Sequence, residues 1–246
     1  MLNLPKLIGH RGVKNLAPEN TLDSIKLAHK LGLKWIEVDV KITKDEIPII
    51  LHDDSLDRTT NFKGLAIDFL YEEIKALDAG FYFYNYKTNI FIPTLEDIFN
   101  FCTKHEIGIN IELKPNKDFE IDNVKAISKV VYEYQNLNNF YFSSFDLKSL
   151  TEMKKIFPNF YYGLLIDNFD MNYSLREYLK ICTNYKFFSL GLNKKIINNE
   201  IISEIKKNNL IITTYSDKNI KLIEANDLWR SGVTSIFIDD PTSFKI

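Results

Sequence analysis

Two histidines of this sequence follow short apolar stretches, where predicted strands end. His10 and Arg11 stand between two glycines in LIGHRG, and His52 follows the apolar run IPIIL and precedes two aspartates. An imidazole with a pKa of about 6.5 can take up or release a proton at neutral pH, so the pair is suited to acid–base chemistry. His29 and His105 fall on a predicted helix and at the end of another, and both are expected to be exposed.

Carboxylates occupy alternating positions of two other predicted strands. In WIEVDV, Glu37 and Asp39 alternate with aliphatic residues, and Glu112 does so in GINIELK. Residues two apart on a strand share a face, so these carboxylates are predicted to face a barrel interior, unless the strand is a solvated edge. Buried carboxylates repel one another, and a cation between them removes that cost. Three oxygen ligands without clustered cysteine or histidine favour Mg²⁺ or Ca²⁺ over Zn²⁺.

Lys114 follows Glu112 by two residues and is predicted to share its face of the strand. A lysine beside a metal site is useful where an anion also binds; the alternative is a strand-end lysine that reaches solvent. Two histidines near a metal, Arg11 and a lysine suit the hydrolysis of a phosphate ester. One imidazole would take a proton from the nucleophile and the other would protonate the leaving oxygen, while the cations neutralise the phosphate.

The elements that must position these residues are short apolar strands alternating with amphipathic helices, a pattern that predicts a parallel sheet. Eight such steps in 246 residues predict an α/β fold, a (β/α)8 TIM barrel. An open doubly wound sheet is the alternative, but its glycine-rich phosphate fingerprint is absent. One extra strand and a long irregular segment follow the second strand, so we expect a single domain over residues 1–246 with an insertion at about 54–92. Only residues 242–246 follow the last strand, so the eighth helix should be missing or very short.

The composition is that of an ordinary globular protein, with 45% hydrophobic and 26% charged residues. A net charge of −2 favours neither nucleic acid nor an anionic membrane as a partner. Cys102 and Cys182 are predicted to be core thiols without a disulfide. The sequence shows no signal peptide and no membrane-spanning run, so a cytoplasmic location without membrane insertion is expected. The oligomeric state is left open.

Several short motifs, taken together and in order, resemble the glycerophosphodiester phosphodiesterase family. They are GHRG, APENT at 17–21, EVD at 37–39, LHDDSLDRTT at 51–60, Gly64, IPTLED at 92–97, ELK at 112–114, SSFD at 143–146 and DDP at 239–241. No single piece is specific, but the series covers nearly the whole chain. The resemblance implies a (β/α)8 barrel, a divalent cation and hydrolysis of glycerophosphodiesters to glycerol 3-phosphate and an alcohol. It also implies that the segment after the second strand lies over the barrel mouth.

Position by position, the resemblance implies three groups of site residues and a fourth beside them. The acid–base pair is His10 and His52. The metal ligands are Glu37, Asp39 and Glu112, holding one divalent cation, which is Mg²⁺, Ca²⁺ or Mn²⁺. The phosphate contacts are Arg11 and Lys114. Glu19 and Asn20 of PENT are expected beside the site, with a helix cap as an equal interpretation of Asn20.

Two features leave the substrate open. Near the seventh strand the family usually has Trp-Thr followed by Asn, where this chain has YSDK at 215–218, so the preferred alcohol is not predicted. The aromatic run FYFYNY at 81–86 either binds a lipid chain or membrane surface or packs on the barrel. A lysophospholipase D-type activity and an inactive binding barrel are therefore the alternatives to hydrolysis of small, water-soluble glycerophosphodiesters.

Overall fold

Eight parallel strands close into a barrel in the computed structural model of the chain, which describes residues 2–137, 139–169 and 173–245. The barrel strands are β1 (Leu7–Gly9), β2 (Trp35–Ile42), β4 (Gly108–Leu113), β5 (Phe140–Ser144), β6 (Tyr162–Ile166), β7 (Ser189–Asn193), β8 (Ile211–Tyr215) and β9 (Ser235–Ile238). The barrel closes because β1 pairs with β9 on one side and with β2 on the other. The predicted (β/α)8 TIM barrel is thus confirmed.

Helices follow the strands and cover the outside of the barrel. They are α1 (Leu22–Lys30), α4 (Leu95–Lys104), α5 (Glu120–Tyr134), α6 (Leu147–Ile156), α7 (Leu175–Tyr185), α8 (Asn199–Lys207) and α9 (Leu222–Ser231). The predicted capping box of α4 is present, because Thr94 accepts from the backbone N–H of Asp97 and the Asp97 carboxylate accepts in return. After β9 the described residues, up to Lys245, form turns and no helix, as predicted; Ile246 lies outside the described residues.

The extra strand, β3 (Pro48–Ile50), runs antiparallel to the end of β2 and leads the chain away from the barrel. The segment that follows, predicted to be irregular, contains a 3₁₀ turn at Ala66–Asp68 and two short helices, α2 (Tyr71–Ile74) and α3 (Phe81–Tyr84). It has a small apolar cluster of its own, formed by Ile49, Leu51, Leu56, Ala66, Ile74, Ala79 and Ile92. This cluster lies beside the barrel rather than inside it.

The two faces of β2 show why its polar residues are buried. Ile36 and Val38 pack in the main core outside the barrel, while Glu37 and Asp39 point inward and are also buried. The register pairs Asp39 with Glu112 on β4, so the predicted carboxylates meet on neighbouring strands. Further down, an apolar cluster closes the barrel interior, and it consists of Leu4, Ile8, Trp35, Tyr141 and Phe237.

Two predictions about side-chain exposure concern residues on the helices outside the barrel. His29 and His105 are half-buried rather than exposed, because their rings pack together with centroids 4.9 Å apart and His105 also contacts Phe101. Cys102 and Cys182 are buried free thiols, as predicted. No helix in the described ranges has the length and apolar character needed to cross a membrane.

Candidate active site

A tight turn at the end of β1 brings His10 and Arg11 to the mouth of the barrel. Arg11 and Gly12 both adopt positive φ angles, of 50° and 81°. Gly9 has no room for a side chain, since a Cβ there would overlap the backbone carbonyl of Gly12. The backbone N–H of Arg11 donates to Glu37 at 2.9 Å, which ties the turn to the carboxylates of β2.

His10 is held by a carboxylate that follows β9. Its Nδ1 lies 2.7 Å from Asp239, and its Nε2 lies 3.9 Å from Glu37. Because an ionised carboxylate can only accept, Nδ1 carries the proton and Nε2 keeps its lone pair. Burial lowers the pKa of His10 to about 4, and the charges of Arg11 and Lys14 act in the same direction against the opposing contact with Asp239. The imidazole is therefore neutral at pH 7 in this environment.

His52, which follows β3, has the same kind of partner. Its Nδ1 lies 2.6 Å from Asp53, whose carboxylate also accepts from Arg58 at 2.7 Å. Burial lowers the pKa of His52, and the charge of Asp39 opposes this shift. Both histidines thus present Nε2 as the free nitrogen, and each is oriented by an aspartate.

The carboxylates of Glu37, Asp39 and Glu112 form a compact buried cluster. One oxygen from each lies within 4.8 Å of the others. Asn20 donates to Asp39 at 2.8 Å, and Lys114 donates to Glu112 at 3.0 Å. Among the described residues, Oε1 of Glu37 is buried without any hydrogen-bond donor, so this oxygen is open to a cation.

The pKa values of two carboxylates in the cluster are shifted in opposite directions. Burial, together with the charges of Asp39 and Glu112, raises the pKa of Glu37 well above its ordinary value. Burial would raise the pKa of Asp39 as well, but Arg11 and Lys114 hold it below its ordinary value. The cluster consequently favours either a proton or a cation next to Glu37. Its oxygen donors and its size fit a hard divalent ion such as Mg²⁺, Ca²⁺ or Mn²⁺.

A cavity of about 270 Å³ opens from this cluster to the surface at the carboxyl ends of the strands. Its lining combines the charged groups with an aromatic wall, and it consists of His10, Arg11, Lys14, Glu37, His52, Glu112, Lys114, Phe145, Leu165, Asp167, Tyr215, Ser216, Asp217 and Phe237. In barrels of this type the carboxyl ends of the strands carry the active site.

The sequence and the fold of the chain are similar to those of known proteins. A model of the glycerophosphoryl diester phosphodiesterase family matches residues 10–243. The chain belongs to this family. The glycerophosphodiester phosphodiesterase of Caldanaerobacter subterraneus subsp. tengcongensis is 33% identical over 235 residues, covering 96% of this chain and 94% of the relative. That of Bacillus altitudinis is 32% identical over 243 residues, with 97% and 96% covered.

A solved structure of the same family gives a close structural match. It is a phosphodiesterase of Oleispira antarctica in complex with the product sn-glycerol-3-phosphate, with a TM-score of 0.87 and 31% identity over 96% of this chain and 93% of the other. Membership in the glycerophosphoryl diester phosphodiesterase family confirms the resemblance of the motifs and the prediction that the chain is an enzyme.

The structure brings all nine predicted site residues of this family member to the barrel mouth. Seven of them are His10, Arg11, Glu37, Asp39, His52, Glu112 and Lys114, and the other two make supporting contacts. Glu19 accepts from Arg11 at 2.8 Å. Asn20 contacts Asp39, whereas the cap of α1 is Thr21, so the helix-cap interpretation of Asn20 is wrong. The chemical roles of the nine residues stay predictions.

Three residues of the mouth were missed in the sequence. Asp239 and Asp53 orient the histidines, and both lie in quoted motifs, DDP and LHDD, without an assigned role. Arg58 donates to both Glu19 and Asp53 and so joins the segment after β3 to the barrel mouth. Arg58 stands six residues after His52 in LHDDSLDRTT, but its contacts depend on a loop whose path the sequence pattern does not predict.

Replacing Asp239 by asparagine is expected to lower kcat by about tenfold to a hundredfold. The amide can donate to Nδ1 of His10, which would move the ring proton to Nε2 and remove the free lone pair. Steady-state kinetics checks this, with Asp240→Asn as the matched control, because Asp240 contacts Thr242 rather than a histidine. An unchanged kcat in Asp239→Asn would show that the tautomer of His10 does not matter.

Replacing Arg58 by methionine should lower stability at about pH 7 by roughly 1 kcal/mol, as expected for a partly exposed ion-pair network. Burial would raise the pKa of Glu19, but hydrogen bonds and charge from Arg58 and Arg11 lower it to about 2. Because the pKa of Glu19 is lower in the folded than in the unfolded state, ionised Glu19 stabilises the folded protein fully at pH values above its unfolded pKa of about 4.3. This stabilisation is lost as the pH falls toward the folded pKa of about 2. In denaturant titrations, the free energy of unfolding that Arg58→Met loses relative to the wild type should thus be smaller at about pH 3 than at about pH 7. Arg58→Lys is the control that keeps the charge. An equal loss at both pH values contradicts this account.

Proposed function

We propose that the protein hydrolyses glycerophosphodiesters to glycerol 3-phosphate and an alcohol, with a bound divalent cation and with His10 and His52 as the acid–base pair. The observation that carries the proposal is the cavity itself. It combines two histidines oriented by aspartates, three cationic side chains and a three-carboxylate cluster. The glycerol 3-phosphate bound to the Oleispira antarctica relative is the product that this reaction would yield.

The cation would be held by Glu37, Asp39 and Glu112. When bound, such an ion would add positive charge beside the phosphoryl group and would favour loss of a proton from the attacking hydroxyl group. The chain itself supplies Arg11 and Lys114, which lie beside the same carboxylates and line the cavity. Their role is to bind the phosphate and to stabilise the charge that develops on its oxygens in the transition state.

The two imidazoles divide the proton transfers. Nε2 of one neutral histidine takes a proton from the nucleophile. The other histidine first takes up a proton at Nε2 from solvent when the anionic phosphodiester binds beside it, gives this proton to the oxygen of the departing alcohol, and so returns to its neutral form. The nucleophile is either water or a hydroxyl group of the substrate's own glycerol, which yields a cyclic phosphate that water then opens. Phosphorus NMR during turnover distinguishes the two routes, because only the second forms a cyclic phosphate intermediate.

The test is release of glycerol 3-phosphate by the purified protein. Glycerophosphocholine and glycerophosphoethanolamine are incubated with Mg²⁺, Mn²⁺ or Ca²⁺, and the product is measured by a coupled assay. Product is expected with at least one of these ions and none after chelation with EDTA. No product under any of these conditions would refute the proposed reaction.

A lysophospholipase D-type activity on lipids is the second candidate, and one observation favours it. In α3, Phe81 and Tyr84 are half-buried, whereas Tyr82 and Phe83 are exposed, so this aromatic run packs only in part and leaves two rings at the surface. Tyr82 and Phe83 line a surface depression together with Lys14 and Arg58, next to the mouth. Comparing the rates on lysophosphatidylcholine micelles and on glycerophosphocholine tests this candidate, which fails if only the water-soluble diester is cleaved.

A further inference from the structure

A buried lysine lies on β2 two residues beyond the carboxylates of the cluster. Lys41 shares the face of the strand that carries Glu37 and Asp39, because side chains two apart point the same way. It is 1% exposed, and the lining of the cavity, as formed by the described residues, does not include it. Lysine is almost never fully buried unless its ammonium group is paired, so the contacts of this group must account for its position.

The ammonium group of Lys41 donates to two acceptors from different parts of the chain. Its Nζ lies 2.6 Å from Oδ1 of Asp54 and 3.0 Å from the backbone carbonyl oxygen of Lys114. Asp54 is the second residue after His52, and Lys114 is the residue that directly follows β4. One side chain therefore connects the end of β2, the segment after β3 and the end of β4.

The backbone of Lys114 is held by β2 through both of its polar groups. Its N–H donates to the carbonyl of Val40 at 3.2 Å, and its carbonyl accepts from the side chain of Lys41. The ammonium group of Lys114 itself lies 3.0 Å from Glu112 and 3.6 Å from Asp39. Lys41 thus anchors the backbone from which the lysine proposed to bind phosphate reaches the cavity.

The second acceptor belongs to the stretch that carries the other predicted histidine. His52 lines the cavity, and the next residue, Asp53, lies 2.6 Å from its Nδ1. Asp54 comes next, and its carboxylate is the group that Lys41 holds. The position of the His52 stretch relative to Lys114 therefore depends on a single ammonium group.

Stability alone gives little reason for a lysine at position 41. Taking an ammonium group out of water costs free energy, and the carboxylate of Asp54, whose side chain is 54% exposed, returns only part of it. Apolar side chains of similar volume often replace buried ion pairs without loss of stability. An apolar side chain cannot make the two directed hydrogen bonds, however, and a displacement of about 1 Å in an active site can lower a rate by about a hundredfold.

We propose that Lys41 is a positioning residue, which fixes the His52 stretch relative to Lys114 by donating to Asp54 and to the Lys114 backbone. It acts through these groups and does not touch the substrate. The inference rests on the proposed hydrolysis, in which Lys114 binds the phosphate and His52 transfers a proton. It gives a role to a buried residue outside the predicted site residues.

Lys41→Met tests this role, because methionine keeps the length of the side chain and removes the donor. We expect kcat on glycerophosphocholine to fall by about tenfold to a hundredfold. Inorganic phosphate, measured as a competitive inhibitor, should bind about fivefold more weakly because Lys114 is displaced. The melting temperature should stay within about 3 °C of the wild type, since the carboxylate left behind is accessible to water.

The matched control is Lys129→Met. Lys129 also pairs with a carboxylate, that of Glu46 at 3.2 Å, but its side chain is 70% exposed. This variant should keep the kcat and the phosphate affinity of the wild type, because an exposed ion pair fixes no part of the cavity.

Variants of Asp54 test the same contact from its other side. Asp54→Asn keeps an acceptor oxygen for Lys41 and should keep most of kcat, whereas Asp54→Ala removes the acceptor and should lower kcat. Adding Asp54→Ala to Lys41→Met should lower kcat little beyond Lys41→Met alone, because the two residues act through one contact. Asp68→Ala, which removes an exposed carboxylate of the same segment, is the control and should keep wild-type kcat.

The outcomes separate positioning from a structural role. Wild-type kcat and phosphate affinity in folded Lys41→Met would overturn the inference, whatever the melting temperature. If Lys41→Met does not fold, the two Asp54 variants decide, and equal kcat in both would overturn it. Additive losses in the double variant would refute the link through Asp54. If the wild type itself releases no glycerol 3-phosphate, the proposed hydrolysis is wrong, and the role of Lys41 in it is wrong as well.

Discussion

Replacing either His10 or His52 by alanine is expected to lower kcat by about a thousandfold, within the range of a lost general acid or base. Each histidine presents a free Nε2 to the cavity and is oriented through Nδ1 by an aspartate. Steady-state kinetics on glycerophosphocholine measures the loss. His105→Ala is the matched control, because that ring packs against His29 and Phe101, outside the cavity.

The two histidine variants can also be told apart by the leaving group. A diester that releases a nitrophenol does not need protonation of the departing oxygen, so the variant that lacks the general acid should regain most of its rate on it. The variant that lacks the general base should stay slow on both substrates. Equal recovery, or none, in both variants would contradict a division of roles between the two residues.

Stability distinguishes a catalytic from a structural role. In His10→Ala the carboxylate of Asp239 keeps Lys14 as a partner at 3.3 Å, so the mutation does not leave a buried charge unpaired. His52 is partly exposed, and Asp53 keeps its contact with Arg58. We therefore expect both variants to unfold close to the wild-type denaturant midpoint, and severe unfolding would mark these histidines as structural.

The barrel and the carboxylate cluster were predictable because both follow from local patterns. Alternation along β2 and β4 requires that Glu37, Asp39 and Glu112 share the interior face once the aliphatic residues between them face the helices. The adjacent register of the two strands then brings the three side chains together. The first step needs only the local pattern of each strand, and the second needs only that β2 and β4 are neighbouring strands of the barrel.

The partners of the histidines could not be derived in this way. Asp239 contacts His10 across 229 residues, and the contact exists because barrel closure places β9 beside β1. Strand periodicity predicts that a barrel closes, but it does not predict which side chain of a terminal loop meets which histidine. His29 and His105 were misassigned for a related reason, since packing between α1 and the end of α4 buries rings that single-helix patterns place at the surface.

Removing a carboxylate from the predicted metal site is the second change with a large expected effect. Two substitutions should distinguish the contribution of each carboxylate to metal binding from its repulsion of the neighbouring carboxylates. Both Glu37→Gln and Asp39→Asn remove one of the three clustered carboxylates, so both should weaken divalent-ion affinity and lower kcat at least as far as the histidine variants. A bound ion present at a hundred times its Kd stabilises the folded state by about 2.7 kcal/mol. The rise in melting temperature on adding Mg²⁺, Mn²⁺ or Ca²⁺ should therefore be large in the wild type and small in both variants.

In EDTA the same two variants should move in opposite directions. Glu37 is a buried carboxylate whose charged form is disfavoured by burial and by its two neighbours, so Glu37→Gln should raise the melting temperature of the metal-free protein. Asp39 instead lies 3.2 Å from Arg11 and 3.6 Å from Lys114, and Asp39→Asn leaves these cations without that partner, at a cost of about 2 to 4 kcal/mol. If EDTA leaves the wild-type melting temperature unchanged, or if Glu37→Gln keeps wild-type metal affinity, the cluster is not a metal site. Opposite shifts in EDTA with a shared loss of metal binding would show that the charge of Asp39 stabilises the fold through Arg11 and Lys114, whereas the charge of Glu37 is stabilising only when the ion is bound.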